Sequence, residues 1–314
     1  MPNCTKKLLK ILGVKILFDK ILSAIIFSAI LIFNFNVYAA SLNPPPNKET
    51  EWYWLASNPK YSKFFAPGTV KIIKQATTED GKEIPTEIEA WTKTTYTLDG
   101  AKETIKAYEI TNILPDPKKF AYSLALCKIN PQTRTIQYTR EDFYDTNNKV
   151  IWSKTDGRVK EINSQAFDED FYAAIVDEVF RQGEVERKNA EDRWIELWTF
   201  TDSKGVKTTV TADTTTMQLK GTNLIVWEWQ ETKGADKKTT EICFIKKSVN
   251  LIQGTERTVS GRIWTPAKKW SDFEDEYGGA YRMIRTDEPD YKGLVRLRAY
   301  AKGYSTWVKR YSIS

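Results

Sequence analysis

The sequence predicts a mainly β protein with one packing helix, an α+β chain built from two tandem antiparallel β domains. Each domain reads as a meander-like sheet, and the first is closed by an amphipathic helix. Three observations predict this. Short runs rich in Trp, Tyr, Ile, Val and Thr recur between turn signals from Glu51 onward. One segment, residues 167–180, changes to a helical period. The aromatic landmarks of the first half then return, in the same order, in the second.

Residues 1–39 come first. Lys6, Lys7, Lys10, Lys15 and Lys20 form a basic leader around and before an apolar run over 21–33, and Val37-Tyr38-Ala39 follows. That succession predicts a signal peptide cleaved after Ala39, and hence an exported chain that is periplasmic, surface-associated or secreted. The alternative is an uncleaved anchor, against which Asn34 and Asn36 interrupt the end of the run. Contact with a membrane is expected only through this segment before cleavage. Residues 40–50, with three consecutive prolines, read as an extended linker.

The first β domain is expected over 51–182. Trp52, Tyr53 and Trp54 open a β-prone run. Ile72 and Ile73 lead to a turn at Glu79-Asp80-Gly81, and residues 84–95 continue as a strand. Asp99-Gly100 reads as a hairpin turn, with Tyr96 and Leu98 before it and Ile105, Tyr108 and Ile110 after it. Strands are expected at 122–129, 135–143 and 150–153, the last two separated by a turn at 145–148. In residues 167–180 the apolar positions 167, 171, 175 and 179, flanked by 172, 176 and 180, make one helical face. Asp168, Glu169 and Asp170 favour its positive end, with Ser164 as N-cap and Gly183 as stop. Residues 183–192 form a charged linker.

The second β domain is expected over 193–314. Trp194 and Trp198 echo Trp52 and Trp54, residues 210–216 echo 64–70, and residues 224–227 echo 88–91. A cysteine strand follows in each half, and residues 262–265 echo 150–153. The echo indicates duplication of a unit of ordinary domain size. It fades after Trp270, where a further β segment is expected at 293–300 and 305–313.

The order of Trp52, residues 64–70, Trp91, residues 122–126 and Asp145 to Trp152-Ser153 resembles the surface-adhesin protein E family of bacterial exported proteins. The resemblance covers residues 51–182 and more faintly 193–270. It implies a compact antiparallel sheet flanked by a terminal helix, and adhesion to host or matrix proteins. This chain departs from that family in carrying two copies, no histidine and no lipoprotein cysteine after its leader.

The chemistry is bounded mostly by what is missing. With no histidine in the chain, histidine-dependent triads and imidazole zinc sites are excluded. Phosphate-cradling glycine motifs and a Gly-x-Ser-x-Gly elbow do not occur. Of the 47 basic and 41 acidic residues, five lysines and Asp19 lie in the leader, leaving 42 and 40 of mixed distribution, so no nucleic-acid partner is expected. Cys127 and Cys243 lie in comparable strands and are candidates to pair, against the alternative of two separate buried thiols. Acid clusters at 168–170, 272–276 and 287–290 lack calcium-loop spacing, and no metal or cofactor is expected.

Eleven tryptophans are the remaining unusual feature. Aromatic residues fill sheet faces, and they also form binding platforms. Trp52 with Trp54, and Trp227 with Trp229, each lie two apart on one sheet face and are the candidate binding residues. The expected function is therefore a non-enzymatic, adhesin-like exported protein recognising a host, matrix or envelope macromolecule. The alternatives are a carbohydrate or peptidoglycan binder using exposed tryptophan faces, and a carboxylate-dependent hydrolase.

Overall fold

The computed structural model describes residues 43–155, 157–181 and 193–313. The chain divides after Pro44. The expected signal peptide and the expected linker over 183–192 lie outside the described residues.

The first sheet contains β1 (Tyr53–Ser57), β2 (Tyr61–Phe65), β3 (Lys71–Thr77), β4 (Glu83–Tyr96), β5 (Phe120–Asn130), β6 (Thr135–Asp145), β7 (Val150–Thr155) and β8 (Lys160–Glu161). Its strands run in the order β1-β2-β4-β5-β6-β7, with β3 also on β4 and β8 also on β6. The second contains β9 (Trp194–Thr201), β10 (Lys207–Asp213), β11 (Gln218–Lys220), β12 (Asn223–Lys233), β13 (Thr239–Asn250), β14 (Thr255–Thr265), β15 (Lys269–Asp272) and β16 (Arg282–Met283). Its order is β9-β10-β12-β13-β14-β15, with β11 on β12 and β16 on β14. The two sheets share one diagram, strand for strand, and neither closes into a barrel. All their pairings are antiparallel.

Registers extend the repeat to single residues. Thr69 Oγ1 bonds the Ala66 carbonyl and accepts from Trp91 N–H at 2.9 Å. Thr216 Oγ1 bonds the Asp213 carbonyl and accepts from Trp227 N–H at 3.0 Å. With Trp91 matched to Trp227, the bulge in β1 falls at the position equivalent to that in β9, and the irregularity of β5–β6 at the position equivalent to that of β13–β14. The β5–β6 turn uses Arg134 at φ 52° where the second copy has Gly254 at φ 70°. Each of these residues accepts at its carbonyl from an inward isoleucine, Ile162 or Ile284. Replacing Thr216 by valine strands the buried Trp227 N–H, and is expected to cost about 1–3 kcal/mol in denaturant unfolding. Serine at this position, which keeps the hydroxyl, should lose much less.

The registers also correct the sequence reading. Thr69 aligns with Thr216, so the echo of 64–70 begins at Thr211 and not at Val210. Trp52 matches Trp194, but Trp198 matches Ala56. Residues 150–153 lie in β7, whose counterpart is β15, whereas 262–265 belong to β14. Cys127 pairs with Ala90 as Lys247 pairs with Val226, so Cys127 and Cys243 are not counterparts. Both are free, buried thiols in different sheets, and the suggested disulfide does not form.

Four helices complete the described unit: α1 (Leu98–Ala107), α2 (Glu169–Phe180), α3 (Pro289–Gly303) and α4 (Ser305–Val308). Helix α2 forms where the period predicted it, burying Phe171, Tyr172, Ile175 and Val176. Its N-cap position is Asp168 instead of Ser164, because the preceding residues are taken up by two successive turns, Ala166 N–H on the Asn163 carbonyl and Glu169 N–H on the Ala166 carbonyl. Arg181, in the left-handed region, ends it, and the expected stop at Gly183 lies outside the described residues.

Helix α1 replaces the hairpin expected at Asp99-Gly100. Ala101, Thr104 and Ile105 bury one helical face, and Thr97 caps the start. Gly100 is required for another reason: a Cβ there would stand 2.1 Å from the Lys60 carbonyl oxygen. Helices α3 and α4 replace the expected terminal β segment. Pro289 occupies the first turn, and Leu294, Leu297, Tyr300 and Ala301 are buried at helical spacing. Thus α3 covers the second sheet as α2 covers the first.

Behind α2, Ile88, Ala90, Ala125, Cys127 and Ile129 form the core, and behind α3 Leu224, Val226 and Val249 do. The end of the chain ties the two sheets together. Trp307 Nε1 donates to the Thr214 carbonyl at 2.8 Å, Arg310 to the Met217 and Thr215 carbonyls, and Tyr311 reaches the first core.

Candidate functional site

The two copies differ most beneath their helices. In the first, α1 is an insertion between β4 and β5, where the second copy has a short turn at 234–238. Helix α1 and the start of α2 lie on the same face of the sheet with a cleft of about 320 Å³ between them. This lies at the lower end of the range for small-molecule sites, about 300–1,000 Å³. Thr92, Thr94, Ser123 and Ala125 form its floor, and Thr104 and Tyr108 come from the insertion.

Aromatic rings build much of the wall. Tyr61 meets Tyr96 edge-on at 5.8 Å and Phe167 edge-on at 5.3 Å. Tyr96 stacks on Phe120 at 4.3 Å, and its hydroxyl lies 2.7 Å from Ser123 Oγ. Burial pushes the Tyr96 and Tyr108 hydroxyls above the ordinary tyrosine range, so both stay protonated.

Two carboxylates enter the cleft. Asp168 is satisfied from both sides: the Tyr138 hydroxyl donates to Oδ1, and Lys160 Nζ lies 3.1 Å from Oδ2. Glu141 is 6% exposed, and its Oε2 accepts from the Tyr108 hydroxyl at 2.7 Å. Burial pushes its pKa up to about 7, against the Tyr108 hydrogen bond. A side chain whose charge changes near neutrality therefore stands inside an aromatic cleft.

The second copy closes this layer with its own charges. Lys247 Nζ lies 3.0 Å from Glu228 and 3.1 Å from Glu256. Arg282 pairs with Glu256, Glu288 and Asp290. The space left among Glu228, Lys247, Glu256 and Leu294 is only about 10 Å³. By register, Glu228 corresponds to Thr92 of the first copy, Lys247 to Cys127, Arg282 to Lys160, and Gly261 to Glu141. A Cβ on Gly261 would stand 3.2 Å from Phe273, which occupies that side.

No protein-family model matches this sequence, and no curated protein matches it. Among solved structures, the chain is similar to P47 of Clostridium botulinum E1, with 8% identity over 82% of each chain and a TM-score of 0.13. That likeness is too slight to carry an argument.

The tryptophans chosen from the sequence lie away from this cleft. Trp54 is 62% exposed on the edge strand β1, its Nε1 bonded to Ser57 Oγ at 2.9 Å. Trp52 is half-buried against the cluster of Trp91, Leu124 and Leu126, with Lys93 Nζ 5.7 Å from its ring. Trp227 is buried, stacked on Phe244 at 4.4 Å and donating to Glu161 at 3.2 Å, so it offers no platform by itself. Trp229 is half-buried and meets Trp270 edge-on at 6.1 Å. Among the described residues, no group of acids and cysteines is placed to hold a metal ion, and no helix is long and apolar enough to cross a membrane.

Sequence reasoning missed Glu141, Lys160, Tyr96 and Tyr108. One signal for Glu141 was present: it is a charged residue two positions before the buried Phe143.

Proposed function

We propose that this chain is an exported binding protein whose ligand enters the cleft of the first copy, the second copy serving as its closed structural counterpart. The observation that carries this reading is the contrast between the copies. In the first copy the α1 insertion helps to enclose a cleft of about 320 Å³, whereas in the second a short turn replaces α1 and the cleft positions Thr92 and Lys160 are matched by Glu228 and Arg282 of an ion cluster. Insertion of α1 supplies Thr104 and Tyr108 to the cleft, and Thr92 stands where the second copy has Glu228. The export part rests on residues 1–39, and an adhesin-like role requires only that the captured group be displayed by a macromolecule.

Saturation-transfer NMR with a mixed panel of small amines, sugars, carboxylates and aromatic alcohols tests the reading. At least one class should bind with Kd below about 1 mM, and the signal should vanish when Ala125→Phe fills the cleft floor. Signals unchanged in that variant would overturn it.

A second reading, a carboxylate-dependent hydrolase, is favoured by one observation: Glu141 and Asp168 share the cleft, and Glu141 is tuned to about 7, suitable for a proton donor. Asp168, held by Tyr138 and Lys160, is the weaker half of such a pair. Turnover of a glycoside or ester that Glu141→Gln abolishes would establish the hydrolase in place of the binder.

A further inference from the structure

Resting on the cleft as the binding site, we propose that its ligand is an organic ammonium group, with Glu141 as counter-ion and the rings of Tyr61, Tyr96 and Tyr108 as walls. The ammonium belongs either to a free amine or to a lysine side chain of a protein partner; the recognising chemistry is the same.

Charge is the first argument. Glu141 is more than nine-tenths buried, yet among the described residues no lysine or arginine forms an ion pair with it. Lys160, the base lining the cleft, is bound to Asp168. Glu103 at the rim is bound to Lys60. The cleft thus holds one carboxylate more than it holds cations, and a buried carboxylate is relieved by an opposite charge.

The repeat provides the second argument. Beneath α3 the chain fills the same layer with its own ammonium, Lys247, set between two buried carboxylates. Beneath α2 the matching position is Cys127, a neutral residue buried in the core, and the neighbouring cleft holds Glu141 with no ammonium paired to it among the described residues. A ligand ammonium would neutralise Glu141 as Lys247 neutralises Glu228 and Glu256, with the carboxylates at different positions of the repeat.

The walls give the third. Neutral tyrosine rings favour a cation through their π faces, and an anion there would meet Glu141 and Asp168. The chain itself uses this chemistry at the rim, where Lys63 Nζ lies 4.1 Å from the centre of the Phe167 ring. A sugar would find hydroxyl partners in Thr92, Thr94 and Ser123 but would leave the excess charge of Glu141 unmet.

Isothermal titration of the purified protein separates the possibilities. The probes are phenethylamine and terminally blocked lysine, their neutral counterparts phenethyl alcohol and terminally blocked norleucine, and N-acetylglucosamine. At least one ammonium should bind about tenfold or more tighter than its neutral counterpart, and Glu141→Gln should erase that advantage. Phenethylamine alone would indicate a free amine, and blocked lysine a protein side chain. A neutral probe or the sugar binding as tightly, indifferent to Glu141→Gln but lost in Ala125→Phe, would remove the ammonium and keep the cleft. Binding that survives both Ala125→Phe and Thr104→Trp, two independent fillings each checked for folding by circular dichroism, would remove the cleft itself. No binding by either ammonium at about 10 mM would overturn the proposal.

Discussion

Lys247→Met is expected to destabilise the protein by about 3–5 kcal/mol at pH 8, the usual consequence of removing one partner from a buried ion pair. The methionine fills much of the lysine stem's volume, so the loss measures charge more than packing. Glu256 keeps Arg282, but Glu228 makes its only ion pair among the described residues with Lys247. Burial opposes the Lys247 charge, and Glu228 and Glu256 outweigh it, holding the ammonium well above the ordinary lysine range. Burial already pushes Glu228 up to about 7, and without Lys247 it would rise further. The variant should therefore recover part of its loss at pH 5, where a proton replaces the missing cation. Adding Glu228→Gln should recover a similar part at pH 8. Urea unfolding at the two pH values checks both statements; equal losses at pH 5 and pH 8 would mean that the cost is packing.

The opposite sign is expected in the first copy. Glu141→Gln should stabilise the protein above pH 7 and leave it unchanged near pH 4. The folded pKa of Glu141 rises from its ordinary 4.5 to about 7. Below 4.5 both folded and unfolded chains carry the proton, and nothing is gained or lost. Between 4.5 and 7 the unfolded chain has released it while the folded chain retains it, so stability falls as pH rises. Above 7 both are ionised and the full penalty, about 3 kcal/mol at 1.36 kcal/mol per pH unit, is present. Lys160 and Lys154 reduce the penalty, Asp168 adds to it, and the Tyr108 hydroxyl bonds the charged form. The amide of glutamine keeps the Tyr108 bond and never ionises. Melting curves of the two proteins should coincide near pH 4 and separate above neutrality. A wild-type protein that gains stability relative to the variant as pH rises would show that Glu141 has a cation partner of its own. The two experiments thus probe one layer in its closed and open forms: a carboxylate with a cation is needed, and a carboxylate without one is a burden until a ligand arrives.

The sheet architecture was legible because strand pairing follows local rules. Residues 88–91 and 224–227 align as read, and Trp52 and Trp194 occupy one position of the repeat. The period of four over 167–180 described a real helix because its apolar face packs on its own sheet. Three helices were misread: α1 at a local turn signal, and α3 and α4 in a segment expected to be strand. Asp99-Gly100 has the composition of a hairpin, but the glycine answers a close approach of the Lys60 carbonyl. Leu294, Leu297 and Ala301 already carried helical spacing after Pro289, and the duplication itself required a helix after β16.

The cleft was hidden by a single extra residue. Counting by twos from Tyr138 sends Arg140 and Asp142 to the helix side of β6. The irregularity beside Cys127 shifts the count, so Glu141 faces Ala125 on that side while Asp142 lies opposite Leu124. A bulge has no strong local composition, and one residue of slip exchanges the faces of everything beyond it.

By itself, the order of residues determined that this is a sheet protein made of one unit used twice, because alternation, turn chemistry and repeated tryptophans act over a few residues. Only the tertiary structure decided which copy is open. That outcome depends on residues apart in the chain, Lys247 between Glu228 and Glu256 in one copy, and Glu141 bonded to Tyr108 at the end of α1 in the other. Burial and charge are properties of the assembled layer, and no local pattern records them.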